Sequence, residues 1–86
     1  MQAWTVEDLV QGIEASNLAK RTKAAAVREV REIDDWRFVK GLGEETLANF
    51  TGGVLSGVFD QYHTPLQVRE EVEDSIYRVL MNGHLQ

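Results

Sequence analysis

The chain contains no cysteine. That excludes a disulfide framework and a thiolate metal site, and it suits a reducing compartment without requiring one. Only one proline is present, and it sits where a helix would start, so helices elsewhere can run uninterrupted. Apolar runs are a few residues long, far short of a membrane span. The opening MQAWTVEDLVQGIEAS has no basic segment followed by an apolar run, so it does not read as a signal peptide. These absences make a cytoplasmic protein with no membrane partner the default expectation. Strand-like alternation is also missing over any useful length, which leaves the helix as the building element.

What is present fits a small globular domain. At 86 residues the chain has room for one core, so a single domain over 1–86 is expected. Apolar residues at 43% and charged residues at 27% argue against disorder, which needs low hydrophobicity. The fold class read from this is all-α, a single-domain bundle of four to five short helices.

Charge is unevenly placed. Residues 1–19 carry three acids and no base, residues 20–40 carry seven bases against four acids, and residues 41–86 carry seven acids against two arginines. The net charge of −5 does not favour bulk binding to nucleic acid.

Five of the seven glycines fall within Gly41–Tyr62, together with Leu47, Phe50, Val54, Leu55, Val58 and Phe59. This stretch reads as the central helix, with the others packed around it. Gly52, Gly53 and Gly57 each cost such a helix about 1 kcal/mol relative to alanine. Gly53 and Gly57, four apart, share a helical face on which another backbone can come close, in the monomer or in a homodimer. The alternatives are a break at Gly52-Gly53 or a short strand over Val54–Phe59.

The first helix begins after Thr5, with Asp8 closing a capping box and Trp4 and Leu9 placed as a hydrophobic staple. Val6, Leu9, Val10 and Ile13 form its buried stripe. Gly12 and Ser16-Asn17 weaken and end it. A second helix spans about Leu18 to Ile33, with Ala19, Ala26, Val30 and Ile33 on one side and Lys20, Arg21, Arg28 and Arg31 on the other. A short third helix follows over about Asp35 to Lys40, closed by a left-handed Gly41. The last helix opens at Thr64-Pro65-Leu66-Gln67. It buries Val68, Val72, Ile76, Val79 and Leu80, and it is stopped by Gly83, leaving a short tail. Glu70, Glu71, Glu73 and Asp74 occupy much of its remaining surface.

Chemistry-bearing constellations are few. Asp60 and His63 are only two metal ligands where zinc needs three or four. No serine or threonine stands at a recognisable spacing from a histidine and a carboxylate. No Walker or Rossmann loop is present. No catalytic residue, metal or cofactor is therefore assigned. The segment VKGLGEETLANF, Val39–Phe50, resembles the turn of the helix-hairpin-helix DNA-binding motif, with Gly41-Leu42-Gly43 as the hairpin and Leu47 and Phe50 as the apolar residues of its second helix. The resemblance covers 12 of 86 residues and implies backbone N–H groups that meet a DNA phosphate. Glu44 and Glu45 depart from it, since they would repel that phosphate.

The expected function is that of a small acidic, non-catalytic protein-interaction module, a regulator, adaptor or inhibitor of a larger partner. Docking is expected through the basic ridge Lys20, Arg21, Arg28 and Arg31 or the acidic face Glu70, Glu71 and Asp74. Gly53 and Gly57 offer a surface for self-association. The alternatives are a nucleic-acid-binding protein that uses Gly41–Gly43 and the basic 20–40 segment, and an acidic mimic of nucleic acid.

Overall fold

The computed structural model describes residues 4–33, 36, 41 and 43–85, with residues 83–85 as backbone only. Five helices are present among them: α1 (Val6–Glu14), α2 (Lys20–Glu32), α3 (Glu44–Val54), α4 (Ser56–Gln61) and α5 (Leu66–Leu85). The all-α bundle read from the sequence is what forms. The helix expected over Asp35–Lys40 lies outside the described residues apart from the buried Trp36, whereas Gly41 is an exposed turn residue without a left-handed φ, so the left-handed cap read there does not form.

The capping box at the start of α1 is as expected, with the Thr5 N–H donating to Asp8 Oδ2 at 2.8 Å. The far end of α1 shows why a nine-residue helix persists. Its last four carbonyls have no partner within the helix and must be satisfied from outside or by tightening of the final turn. Each one is. Gln11 accepts from the Ala15 N–H at 3.0 Å, and Ile13 accepts from the Ser16 N–H at 3.1 Å and the Ser16 hydroxyl at 2.6 Å. Glu14 accepts from Lys23 Nζ at 2.8 Å, and Gly12 accepts from the Ser75 hydroxyl at 2.7 Å. The last two bonds come from α2 and α5, so the end of α1 is closed by tertiary structure.

Gly12 does not end α1. It is buried in the helix because α5 crosses there: a Cβ on Gly12 would lie 2.6 Å from Ile76 Cα. The buried side of α2 is Thr22, Ala25, Ala26 and Val30. Ala19 precedes the helix as its N-cap and is exposed, so the wheel phase that placed it on the apolar stripe does not apply to it.

Gly41–Tyr62 is not one helix. The chain breaks at the fully buried Leu55 (φ −84°, ψ −1°), which ends α3 and caps α4. The break comes after Gly52-Gly53 rather than at it, and no strand forms over Val54–Phe59. One cause lies a turn earlier. The buried Thr51 hydroxyl donates to the Leu47 carbonyl at 2.8 Å, a back-bond that bends helices, and two glycines of low helix propensity follow it. Nor is this stretch the centre of the fold. α5 receives α1 on one side and α3 on the other, while α4 packs on α2.

The turn into α5 is a Schellman motif. The Thr64 N–H donates to Phe59 O at 2.8 Å and the His63 N–H to Asp60 O at 3.2 Å. His63 takes the left-handed position usually given to glycine, with φ 54°. Arg69 braces this elbow. Its Nε donates to Thr64 O at 2.9 Å, Nη1 pairs with Asp60 at 2.9 Å, and the guanidinium lies 5.6 Å from the Phe59 ring centre. Pro65 stands one position before α5, its carbonyl accepting from Val68 and Arg69. Val72, Ile76 and Leu80 are buried as the spacing required. Gly83 does not stop the helix, which continues through Leu85.

The core joins Leu9, Ile13, Val30, Leu47, Leu55, Phe59, Val72 and Ile76. At one edge Trp4 meets Trp36 edge-on at 5.9 Å, and Trp36 meets Phe50 at 6.2 Å. Trp4, expected as a staple residue, thus packs against the core.

Candidate functional site

The basic ridge is exposed but largely engaged. Arg31 Nη2 lies 3.1 Å from Glu7 Oε1 of α1, and Arg28 lies 3.9 Å from Glu32 on its own helix. Arg21 sits over the Tyr62 ring at 5.8 Å. Lys20 is exposed at the first residue of α2. The ridge is therefore balanced by α1, by α2 itself and by the end of α4. Exposed pairs of this kind contribute about 0–1 kcal/mol each. They also reduce the positive field the ridge presents.

The acidic face divides. Glu71 turns toward the end of α1, where it accepts from Asn17 Nδ2 at 3.4 Å and shares a groove with Ser16, Ser75 and Arg78. Asp74 turns the other way, into a groove between α3 and α5. Glu70 is exposed. The three acids expected on one face thus serve different surroundings, because α5 is covered on two sides and its polar residues are sorted between them.

The α3–α5 groove holds about 230 Å³ and is lined by Glu45, Ala48, Asn49, Glu73, Asp74 and Tyr77. α3 contributes Glu45 and Asn49, one helical turn apart. α5 contributes Glu73 and Tyr77 at the same spacing, with Asp74 beside them. Tyr77 is 37% exposed, so its ring is open to a ligand. Burial, then the neighbouring Asp74 and Glu70 carboxylates, push the Glu73 carboxyl above its usual range. In the sequence Glu45 reads as a helix-start acid and Glu73 as one of several surface acids. Their i, i+4 partners Asn49 and Tyr77 were visible signals, but which helix faces which was not.

Gly53 and Gly57 do not share a helical face, since the break at Leu55 puts them on different helices. Both are exposed, and a Cβ on either would meet nothing within 4 Å. The close approaches are at Gly12 and Gly52 instead. Asp60 is committed to Arg69 and His63 to the turn. Among the described residues no group of three or more His, Asp or Glu could hold a metal ion, and no helix is long and apolar enough to cross a membrane. Gly43 is the N-cap of α3, while Leu42, the middle of the hairpin-like turn, lies outside the described residues. Glu44 and Glu45 form the first turn of α3, where the exposed N–H groups stabilise negative charge. No family model matches the sequence, and no curated protein and no solved structure matches it.

Proposed function

We propose that the chain is a non-catalytic protein-interaction module that receives a basic side chain of a larger partner in the α3–α5 groove. The observation that carries this reading is the convergence of Glu45, Glu73 and Asp74 beside the open Tyr77 ring. An arginine suits such a place. Its planar guanidinium stacks on an aromatic face and forms charge-assisted bonds to carboxylates. The basic ridge is the weaker candidate, because Arg28 and Arg31 already have acidic neighbours.

The test is affinity capture from nuclease-treated lysate of the native cell, comparing the wild type with two charge-reversed proteins. Glu45→Lys with Asp74→Lys should lose a discrete protein partner, while Arg28→Glu with Arg31→Glu should keep it. A partner retained by the groove variant, or lost from the ridge variant alone, would move the docking surface to α2. Capture that disappears on nuclease treatment would replace a protein partner with nucleic acid.

A further inference from the structure

We infer that the seam between α3 and α5 is a proton-sensitive clasp: the ionised Glu73 side chain holds the two helices apart, and its neutral form lets α3 settle on α5. This goes beyond partner binding and concerns the free protein. The geometry begins at Gly52, which is buried on the face of α3 turned toward α5. A Cβ there would overlap the Glu73 carboxyl oxygen Oε2 and lie 2.7 Å from both Cδ and Cγ. The carboxyl group is thus what α3 rests on at this crossing.

The surroundings give that carboxylate no compensating charge among the described residues. On α5 it is flanked by Glu70 and Asp74. Arg69, four residues earlier and so within reach by spacing, is turned away to Asp60, Thr64 and Phe59. Arg78 lines the opposite groove with Glu71. α3 faces Glu73 with Glu45 and has no base in its sequence, its other charged residue being Glu44. α1, on the other side of α5, carries only the acids Glu7, Asp8 and Glu14, of which Glu7 is paired with Arg31. Charging Glu73 therefore adds a partly desolvated anion to a set of anions.

The direction of the linkage follows. A carboxyl whose folded pKa lies above its unfolded value stabilises the fold in its neutral form. That contribution is fully present below the unfolded pKa and is lost as pH rises through the folded one. Acid should tighten this seam.

Two measurements on the full chain test this. The first follows the Glu73 side-chain carbon by NMR from about pH 7.5 to about pH 3, a range that spans the ordinary carboxylate value. Its midpoint should lie above 4.5, the ordinary glutamate value, and Asp74→Asn should lower it. The second compares the wild type with Glu73→Gln, which keeps the shape of the neutral acid. At pH 7 the variant should melt higher by roughly 1–4 °C, and the Thr51–Gly53 amides should exchange more slowly in it than in the wild type. Below about pH 4 both differences should vanish. A Glu73 midpoint at or below 4.5, or a melting difference that does not change with pH, overturns the clasp. Neither result depends on a partner, so the groove could fail as a docking site while the clasp stands.

Discussion

α5 is crossed twice at a glycine, and the two crossings are opposites. Under α1, Gly12 meets the backbone of Ile76, and the Ser75 hydroxyl spans the seam to the Gly12 carbonyl. Gly12, Ser75 and Ile76 are all buried there, with the charged Glu71 and Arg78 only in the groove at its edge. Under α3, the atoms nearest to a Cβ on Gly52 all belong to the Glu73 side chain, beside a groove that also holds Glu45 and Asp74. The missing Cβ serves backbone contact in one case and a carboxyl group in the other. The first seam is built to stay shut. The second is where, among the described residues, charge is left uncompensated, and it is where the proposed partner and the proposed proton switch would act.

The largest test of that contrast is Gly12→Ala. The new methyl would sit 2.6 Å from Ile76 Cα, and a backbone atom cannot rotate out of its way. Overpacking of this kind costs about 1–3 kcal/mol or more, and alanine's better helix propensity returns about 1. We expect a net loss of about 2 kcal/mol, read as a fall of roughly 8–15 °C in melting temperature. A neutral result would mean that α1 can shift on α5 and that the seam is not rigid.

Ser75→Ala acts on the same seam without a clash. It removes the partner of an end-of-helix carbonyl in a buried place, worth about 1 kcal/mol and up to 3 if no water replaces it. Urea unfolding should show this as a lower midpoint with an unchanged slope. A loss near zero would show that the Gly12 carbonyl finds water, and the contrast between the two seams would narrow.

Much of this fold was legible in the residues, and what was illegible has a consistent cause. The first helix could be read from Thr5, Asp8 and the Val6–Ile13 stripe because a capping box and a helical stripe are local patterns. The stripe of the last helix could be read for the same reason. Gly12 reads as a weak point in the sequence because its use depends on Ile76 lying against it, which no local pattern records. Leu55 gave no sign at all, being an apolar residue of high helix propensity in an apolar run. The candidate groove was half visible. Its acids and their i, i+4 neighbours Asn49 and Tyr77 stand in the sequence, while the pairing of α3 with α5 is a tertiary fact. Glycines carried the clearest lesson. Gly53 and Gly57 looked like a packing face and are open to solvent, whereas the contacts lie at Gly12 and Gly52.

The smallest expected effect is the one that separates the two seams most sharply. Gly52→Ala puts a methyl group where Glu73 now rests, but Glu73 is a flexible side chain with a carboxylate that gains by moving into water. Its displacement offsets the lost packing, and the helix-propensity gain of about 1 kcal/mol remains. The melting temperature at pH 7 should therefore stay level or rise by a few degrees, in contrast to the fall expected for Gly12→Ala. The displaced carboxyl should also titrate lower than in the wild type, since burial is the first cause of its upward shift. If Gly52→Ala destabilises as much as Gly12→Ala, Glu73 is pinned rather than resting, and the α3 seam is as closed as the α1 seam.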